Sequence, residues 1–169
     1  MKNSLSALCI LLSLLSCADE KKQQVTQLQD KKGLMYKANQ AEPFTGTFTE
    51  YSVYGQEHKR AEKSFKDGKR DGVSILWNKN GEKSSQAYYK SGKQHGVETV
   101  WYLNGQKGSV GNYKDGKRNG LWTEWYTNGL KWKEGDYIDG KRDGIWTEWG
   151  EDGKSSKTKT YKNGTVIKS

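Results

Sequence analysis

Residues 114–137 read KDGKRNGLWTEWYTNGLKWKEGDY and residues 138–161 read IDGKRDGIWTEWGEDGKSSKTKTY, two stretches of 24 residues that align without a gap. Outward from them, the opening KDGKRNG of Lys114 has counterparts in KDGKRDG at Lys66, KSGKQHG at Lys90 and IDGKRDG at Ile138, each 24 residues from the next. An aromatic residue precedes every copy: Phe65, Tyr89, Tyr113, Tyr137 and then Tyr161, which stands before a partial copy, Lys162-Asn163-Gly164. Trp77, Trp101, Trp125 and Trp149 keep the same step, as do Gly81, Gly105, Gly129 and Gly153. So many positions sharing one period mark a repeat array, in which each unit buries its apolar side against its neighbours. The unit before these is degenerate. Gly46, Tyr51 and Gly55 repeat the spacing of Gly72, Trp77 and Gly81, and two extra residues near 56–60 separate Gly55 from Phe65.

Each unit reads as two strands and two turns. Along 120–125, Leu121, Thr123 and Trp125 alternate with Trp122 and Glu124, and Val73, Ile75 and Trp77 follow the same pattern. So do Val97, Thr99 and Trp101, and Ile145, Thr147 and Trp149. Period-two alternation of β-branched and aromatic residues is a strand signal. Asn80-Gly81, Asn104-Gly105, Asn128-Gly129 and Asp152-Gly153 read as tight hairpin turns with positive φ at both central residues, and the Asp-Gly pairs at 67–68, 115–116 and 139–140 as the opposite turns. The expected fold is all-β, an elongated antiparallel β-meander of about five stacked hairpins. Its units are 42–65, 66–89, 90–113, 114–137 and 138–161, with a partial unit at 162–169. Ala87, Gly111 and Gly135 stand two residues before the Tyr of their units and are expected to leave room for a neighbouring Trp ring.

The pattern of an aromatic, any residue, Asp, Asn or Ser, then Gly-Lys-x-x-Gly, with a second aromatic five residues on and Asn/Asp-Gly after it, resembles the variant MORN repeat of bacterial proteins. It is clearest at 114–161, where Trp122 and Trp146 supply a Gly-x-Trp; Ser74 and Glu98 depart from it. Glu42-Pro43-Phe44-Thr45-Gly46-Thr47 is similar to the entry of the first repeat in that family. The resemblance implies stacked hairpins in a long meander. Relatives of this kind carry the label of a toxin–antitoxin antitoxin or look like lipoproteins, so the resemblance also implies an antitoxin or immunity role as an alternative.

Composition alone points the other way. A net charge of +9 with 32% hydrophobic residues and a mean hydropathy of −1.05 is the balance of a disordered chain. Yet 12% of the residues are aromatic, with 7 Trp and 10 Tyr at regular intervals, which fits a folded protein with a thin aromatic core. The first residues stand apart. Lys2 is followed by the apolar run from Leu5 to Leu15, too short for a bilayer span of about 20 residues. Leu14-Leu15-Ser16-Cys17 resembles the bacterial lipoprotein signal, in which the cysteine is acylated and becomes the new N-terminus. On this reading 1–16 is removed, Cys17 is the membrane anchor, and 17–41 is a lipidated cysteine with a flexible polar linker, open to helix around Val25 to Leu28. The mature domain then has no thiol, since Cys9 and Cys17 are the only cysteines. The expected location is the bacterial cell envelope, and Ala18 after the cysteine favours the outer membrane.

No catalytic constellation stands out, and neither a metal nor a cofactor is expected. His58 and His95 each stand where sister units carry other residues. Lys69-Arg70, Lys117-Arg118 and Lys141-Arg142, with Lys93 between, line up along one edge. They read either as a stripe for anionic lipid, lipopolysaccharide or an acidic protein, or as the charged edge that keeps a thin sheet unpaired; the second is favoured because they belong to the repeat itself. Nucleic acid is not an expected partner for an exported chain. Trp77, Trp101, Trp125 and Trp149 share parity with the aliphatic residues and are expected to pack. Trp122, Trp132 and Trp146, with Tyr102 and Tyr126, are assigned to the other parity, which a single-layered sheet leaves open to a protein partner. The sequence therefore reads as a membrane-anchored, non-enzymatic repeat protein that presents a β-surface to another protein or envelope component, with binding of anionic lipid or glycan headgroups as a further alternative.

Overall fold

Glycine-bounded runs of alternating residues make strands throughout the computed structural model, which describes residues 27–52 and 58–168. In chain order they are Leu28–Lys31 (β1), Leu34–Lys37 (β2), Gly46–Tyr51 (β3), Lys59–Lys66 (β4), Lys69–Trp77 (β5), Lys83–Lys90 (β6) and Lys93–Gln94 (β7). Gly96–Trp101 (β8), Lys107–Lys114 (β9), Lys117–Trp125 (β10), Lys131–Ile138 (β11), Lys141–Trp149 (β12), Ser156–Lys162 (β13) and Thr165–Lys168 (β14) complete them. From β3 to β14 they form one sheet of 12 strands in which each pairs with the next in sequence, with the short β7 beside β6. Every pairing is antiparallel. This is the expected all-β meander of successive hairpins. At about 4.8 Å per strand it extends roughly 50 Å along the hydrogen-bond direction.

The pair of left-handed residues expected at the Asn-Gly turns is found at the opposite, Asp-Gly turns instead. Asp115 and Gly116 have φ of 51° and 85°, and the same pair of positive angles recurs at Asp67, Ser91, Asp139 and Asn163 with their glycines. These are the two-residue turns that need both central residues left-handed. In the Asn-Gly turns only the glycine is left-handed, as at Gly105 with φ 81°. There Gly105 N–H donates to the Tyr102 carbonyl at 3.0 Å and Tyr102 N–H to Gln106 at 2.8 Å, a three-residue loop with a type I turn and a glycine bulge. Asn104 is kept out of the left-handed region because its carboxamide oxygen accepts the Gln106 N–H at 3.1 Å.

Both edges of the meander are tied from unit to unit. On the Asp-Gly edge, Gly92, Gly116, Gly140 and Gly164 N–H donate to the carbonyls of Arg70, Gln94, Arg118 and Arg142 at 2.7–2.8 Å. On the Asn-Gly edge, Tyr102 Oη donates to Trp125 O at 2.6 Å and Tyr126 Oη to Trp149 O at 2.8 Å. Asn104 Nδ2 reaches Thr127 O at 2.8 Å, and Asn128 Nδ2 reaches Glu151 O at 3.0 Å. A lone hairpin is marginal in water; these bonds make each one part of the next.

The segment expected to be linker is partly folded. β1 and β2 form a separate two-stranded hairpin, and no helix is present at Leu28. Asp30 Oδ1 accepts the Gly33 N–H at 3.0 Å and closes its turn. Met35 N–H donates to Gly68 O at 2.9 Å, Phe44 N–H to Met35 O at 2.7 Å and Gly68 N–H to Phe44 O at 2.8 Å, so the hairpin is pinned to the first Asp-Gly turn. The half-buried run Leu34-Met35-Tyr36 supplies its apolar contacts. Cys17, the cleavage site before it and the rest of the first 26 residues lie outside the described residues.

Candidate functional site

The two faces of the sheet are built differently, and the buried one is not the one that parity with the aliphatic residues suggests. Trp122 is 2% exposed and Trp146 4%, and with Tyr137 they form the core. The aliphatic residues Val97, Leu121 and Ile145 on the opposite parity remain 48%, 57% and 65% exposed. The assignment of Trp122 and Trp146 to an open docking face is therefore corrected.

The reason lies across the strands. Trp122 on β10 is in register with Gly111 on β9 and Gly135 on β11. A Cβ added at Gly111 would run into the Trp122 ring, and one at Gly135 into the Trp146 ring. With no side chain beneath it, each indole lies down on the neighbouring backbone and covers it, so a single layer makes its own core. Gly111 and Gly135 do leave room for Trp rings, those of Trp122 and Trp146, whereas Ala87 faces Ser74 and no ring. Tyrosines stand between them edge-on. Centroid distances are 5.6 Å for Tyr113–Trp122, 6.0 Å for Trp122–Tyr137, 5.0 Å for Tyr137–Trp146 and 6.4 Å for Trp146–Tyr161, at interplanar angles of 75–82°, the favoured arrangement of ring quadrupoles. Trp146 Nε1 donates to Asp136 O at 3.0 Å, whereas Trp122 Nε1 is buried without an acceptor among the described residues.

Arginines close this aromatic face. Arg118 Cζ lies 4.0 Å from the Trp122 ring centroid and donates from Nη1 to Tyr137 Oη at 3.1 Å. Arg142 lies 4.3 Å over Trp146 and donates to Tyr161 Oη at 3.2 Å. Burial pulls the Arg118 pKa down, but its hydrogen bonds to Tyr113 and Tyr137 outweigh this and leave it above the ordinary value. Arg142 follows the same balance with Tyr137 and Tyr161. Arg70 lies 4.2 Å over Tyr89 and 5.9 Å from Phe65. The basic edge is thus thinner than expected: Arg70, Arg118 and Arg142 fold inward and pack, while Lys69, Lys93, Lys117 and Lys141 stay exposed.

On the other face, the repeat tryptophans alternate with lysines. Register pairs Tyr51 with Lys59, Trp77 with Lys83, Trp101 with Lys107, and Trp125 with Lys131. Lys59 Nζ stands 5.6 Å from the Trp77 centroid and Lys131 Nζ 5.5 Å from Trp149, within cation–π range. All four tryptophans are half-buried. Inside this row Thr123, in register with Val110 and Glu134, donates to Glu134 Oε2 at 2.9 Å. Beyond it lies the exposed row of Val97, Leu121 and Ile145. This ladder face is the candidate binding surface.

The remaining aromatic candidates serve the hairpin ends. Tyr102 and Tyr126 are half-buried and spend their hydroxyls on the unit-to-unit bonds; burial and then Glu148, Glu151 and Asp152 raise the Tyr126 pKa. Trp132 packs 5.8 Å from Tyr126, with Lys133 Nζ 3.6 Å from its centroid. His95 Nδ1 lies 3.5 Å from Asp115, and no group of three or more His, Cys, Asp or Glu converges among the described residues. A cleft under the β1–β2 hairpin is not anticipated by the repeat pattern. Its signal in the sequence is the apolar Leu34-Met35-Tyr36 after Gly33.

The repeats match the MORN repeat variant. The matched residues are 94–115 and 142–163, one stretch in each half of the array. The first match runs from Gln94 to Asp115 and the second from Arg142 to Asn163, so both contain a full Asn/Asp-Gly turn. MORN-type repeats in an all-β repeat fold suggest a binding repeat protein. No curated protein matches the chain. Among solved structures, one similar chain comes from the crystal structure of a GtfA/B complex bound to UDP and GlcNAc, at 11% identity and a TM-score of 0.26. The alignment covers 79% of this chain and 23% of that one. A likeness at this level carries no functional argument.

Proposed function

We propose that this chain is a non-enzymatic binding protein, held in a bacterial envelope by lipid on Cys17, whose ladder face docks a protein partner. The observation that carries the reading is the uncovered apolar row, with Val97, Leu121 and Ile145 48–65% exposed beside the Trp–Lys row. Single exposed apolar residues are ordinary, but here they recur from unit to unit, in register with Asn112, Asp136 and Thr160, as a regular amphipathic row suited to an interaction site. The tryptophans beside it are residues that dominate binding energy once a partner excludes water. Their interleaved lysines favour a partner of acidic surface and speed its encounter. MORN-type repeats support a binding role of this kind.

A photo-crosslinking residue placed at Leu121 or Ile145 of the full chain in cells tests the reading. Adducts of one discrete size are expected from both positions and not from Lys117 on the turn edge; equal adducts from all three sites overturn it. Cys17→Ala should move the protein from membranes to the soluble fraction, and its retention there would remove the anchor.

A further inference from the structure

Three arginines occupy equivalent places on the aromatic face, and one of them is unsatisfied. Arg118 and Arg142 stack on a ring and donate to the tyrosine hydroxyl 19 residues on. Arg70 also stacks, 4.2 Å from the Tyr89 centroid, yet its buried Nε has no acceptor among the described residues. It also differs in what lies above it. The β1–β2 hairpin roofs this end of the face and leaves a cleft of about 410 Å³, within the roughly 300–1,000 Å³ of small-molecule sites. Leu28 and Met35 line it from the hairpin, Phe48 and Phe65 from the sheet, and Lys69 and Arg70 from the turn. Lys63, also in the cleft, is neutralised by Glu50 at 2.6 Å.

From this geometry we infer that the cleft is a binding site for a small amphiphile, a single anionic head on an apolar body. Arg70, whose Cζ is held 4.2 Å from the Tyr89 centroid, lines the cleft and would donate to the head from its guanidinium. That fork matches a carboxylate or a phosphate, and Lys69 adds charge beside it. Leu28, Met35, Phe48 and Phe65 take the apolar body out of water. The site is separate from the ladder face and does not depend on what binds there.

Calorimetric titration of the full chain with decanoate, decyl phosphate and decanol tests this, all below their micellar concentrations. Saturable binding at one site is expected for an anionic probe, with decanol weaker by about tenfold or more, the scale of a charge-assisted hydrogen bond. The tighter of the two anionic probes identifies the head as carboxylate or phosphate. Arg70→Gln should weaken the anionic probe by a similar factor while Lys141→Gln leaves it unchanged. Met35→Trp, which fills the cleft from the hairpin, should abolish binding with the melting temperature retained. Equal affinity for decanol and the anionic probes overturns the proposal, as does unaltered binding in a folded Arg70→Gln or Met35→Trp chain.

Discussion

Units 66–113 and 114–161 share a period, their strands and their turns, but cover the same face in different ways. Over the later pair the middle row runs Trp122, Gly135, Trp146, entered from Gly111 at the end of the earlier pair, and the indoles lie on the glycines. In the earlier pair the equivalent positions are Ser74, Ala87 and Glu98; Ser74 pairs with Ala87 and Glu98 with Gly111, and no large ring lies there. Gln94 takes the place of an arginine and its Nε2 donates to Glu98 at 2.9 Å. Ahead of that polar stretch, the β1–β2 hairpin roofs the sheet over Phe48 and Phe65. A single-layered sheet needs cover, and two solutions coexist in one chain: rings that lie down where the neighbour is glycine, and an added hairpin where they do not.

The sharpest way to break this comparison is Gly111→Leu, because any Cβ there collides with Trp122. The expected loss is about 3–5 kcal/mol, the scale of losing a buried Trp, read as a fall in melting temperature; Ala87→Gly should cost only about 1 kcal/mol. An unchanged melting temperature in Gly111→Leu would mean that the ring is not seated on the glycine.

The difference can also be transplanted. Trp122 covers the residue 11 positions earlier, and for Glu98 that residue is Ala87. Ala87→Gly with Glu98→Trp should be more stable than the sum of the two single changes predicts, with a coupling of about 1–3 kcal/mol. Additive effects would show that the later half depends on more than this pair.

A smaller effect separates the Asn-Gly edges. Asn128→Ala loses both the bond to Glu151 O and the acceptor for Leu130 N–H, at about 1 kcal/mol in denaturant titration. Asn80→Ala, whose carboxamide donates to Glu82 within its own turn, should stay within about 0.5 kcal/mol of wild type. Equal losses would deny the edge ladder its part.

The smallest effect is electrostatic. The Glu134 pKa is held below its ordinary 4.5, first by the Lys131 hydrogen bond at 2.7 Å, with Thr123 adding to it and burial opposing. A depressed carboxylate stabilises the folded state above its unfolded pKa, and this contribution disappears as pH falls through the folded pKa. Wild type should therefore exceed Glu134→Gln by well under 1 kcal/mol at neutral pH, since Lys131 is solvent-exposed, and the gap should close below about pH 4. A gap that widens on acidification would reverse the sign.

Much of this was legible in the residues. The 24-residue period gave two strands per unit and their order, since antiparallel strands joined by short turns pair with their neighbours. The need for small residues at 111 and 135 was also readable, being the same at each repeat. The turn geometries were not, because Asn-Gly suits both a two-residue turn and a glycine bulge, and the Asn side chain decides between them through a bond it makes only when folded. The hairpin at 28–37 was missed because strands of four residues carry too little alternation to register.

By itself, then, the sequence determined the period, the meander and the need for glycine beneath a ring. Only the tertiary structure decided which face is buried. Alternation along a strand marks two faces without ranking them; the rank depends on what the adjacent strand puts beneath each ring. Across from Trp122 that is a glycine, and across from Trp125 it is a lysine. For the same reason Arg118 donates to a tyrosine hydroxyl while the buried Nε of Arg70 has no acceptor among the described residues: the residues are alike in the repeat, and their partners differ in space.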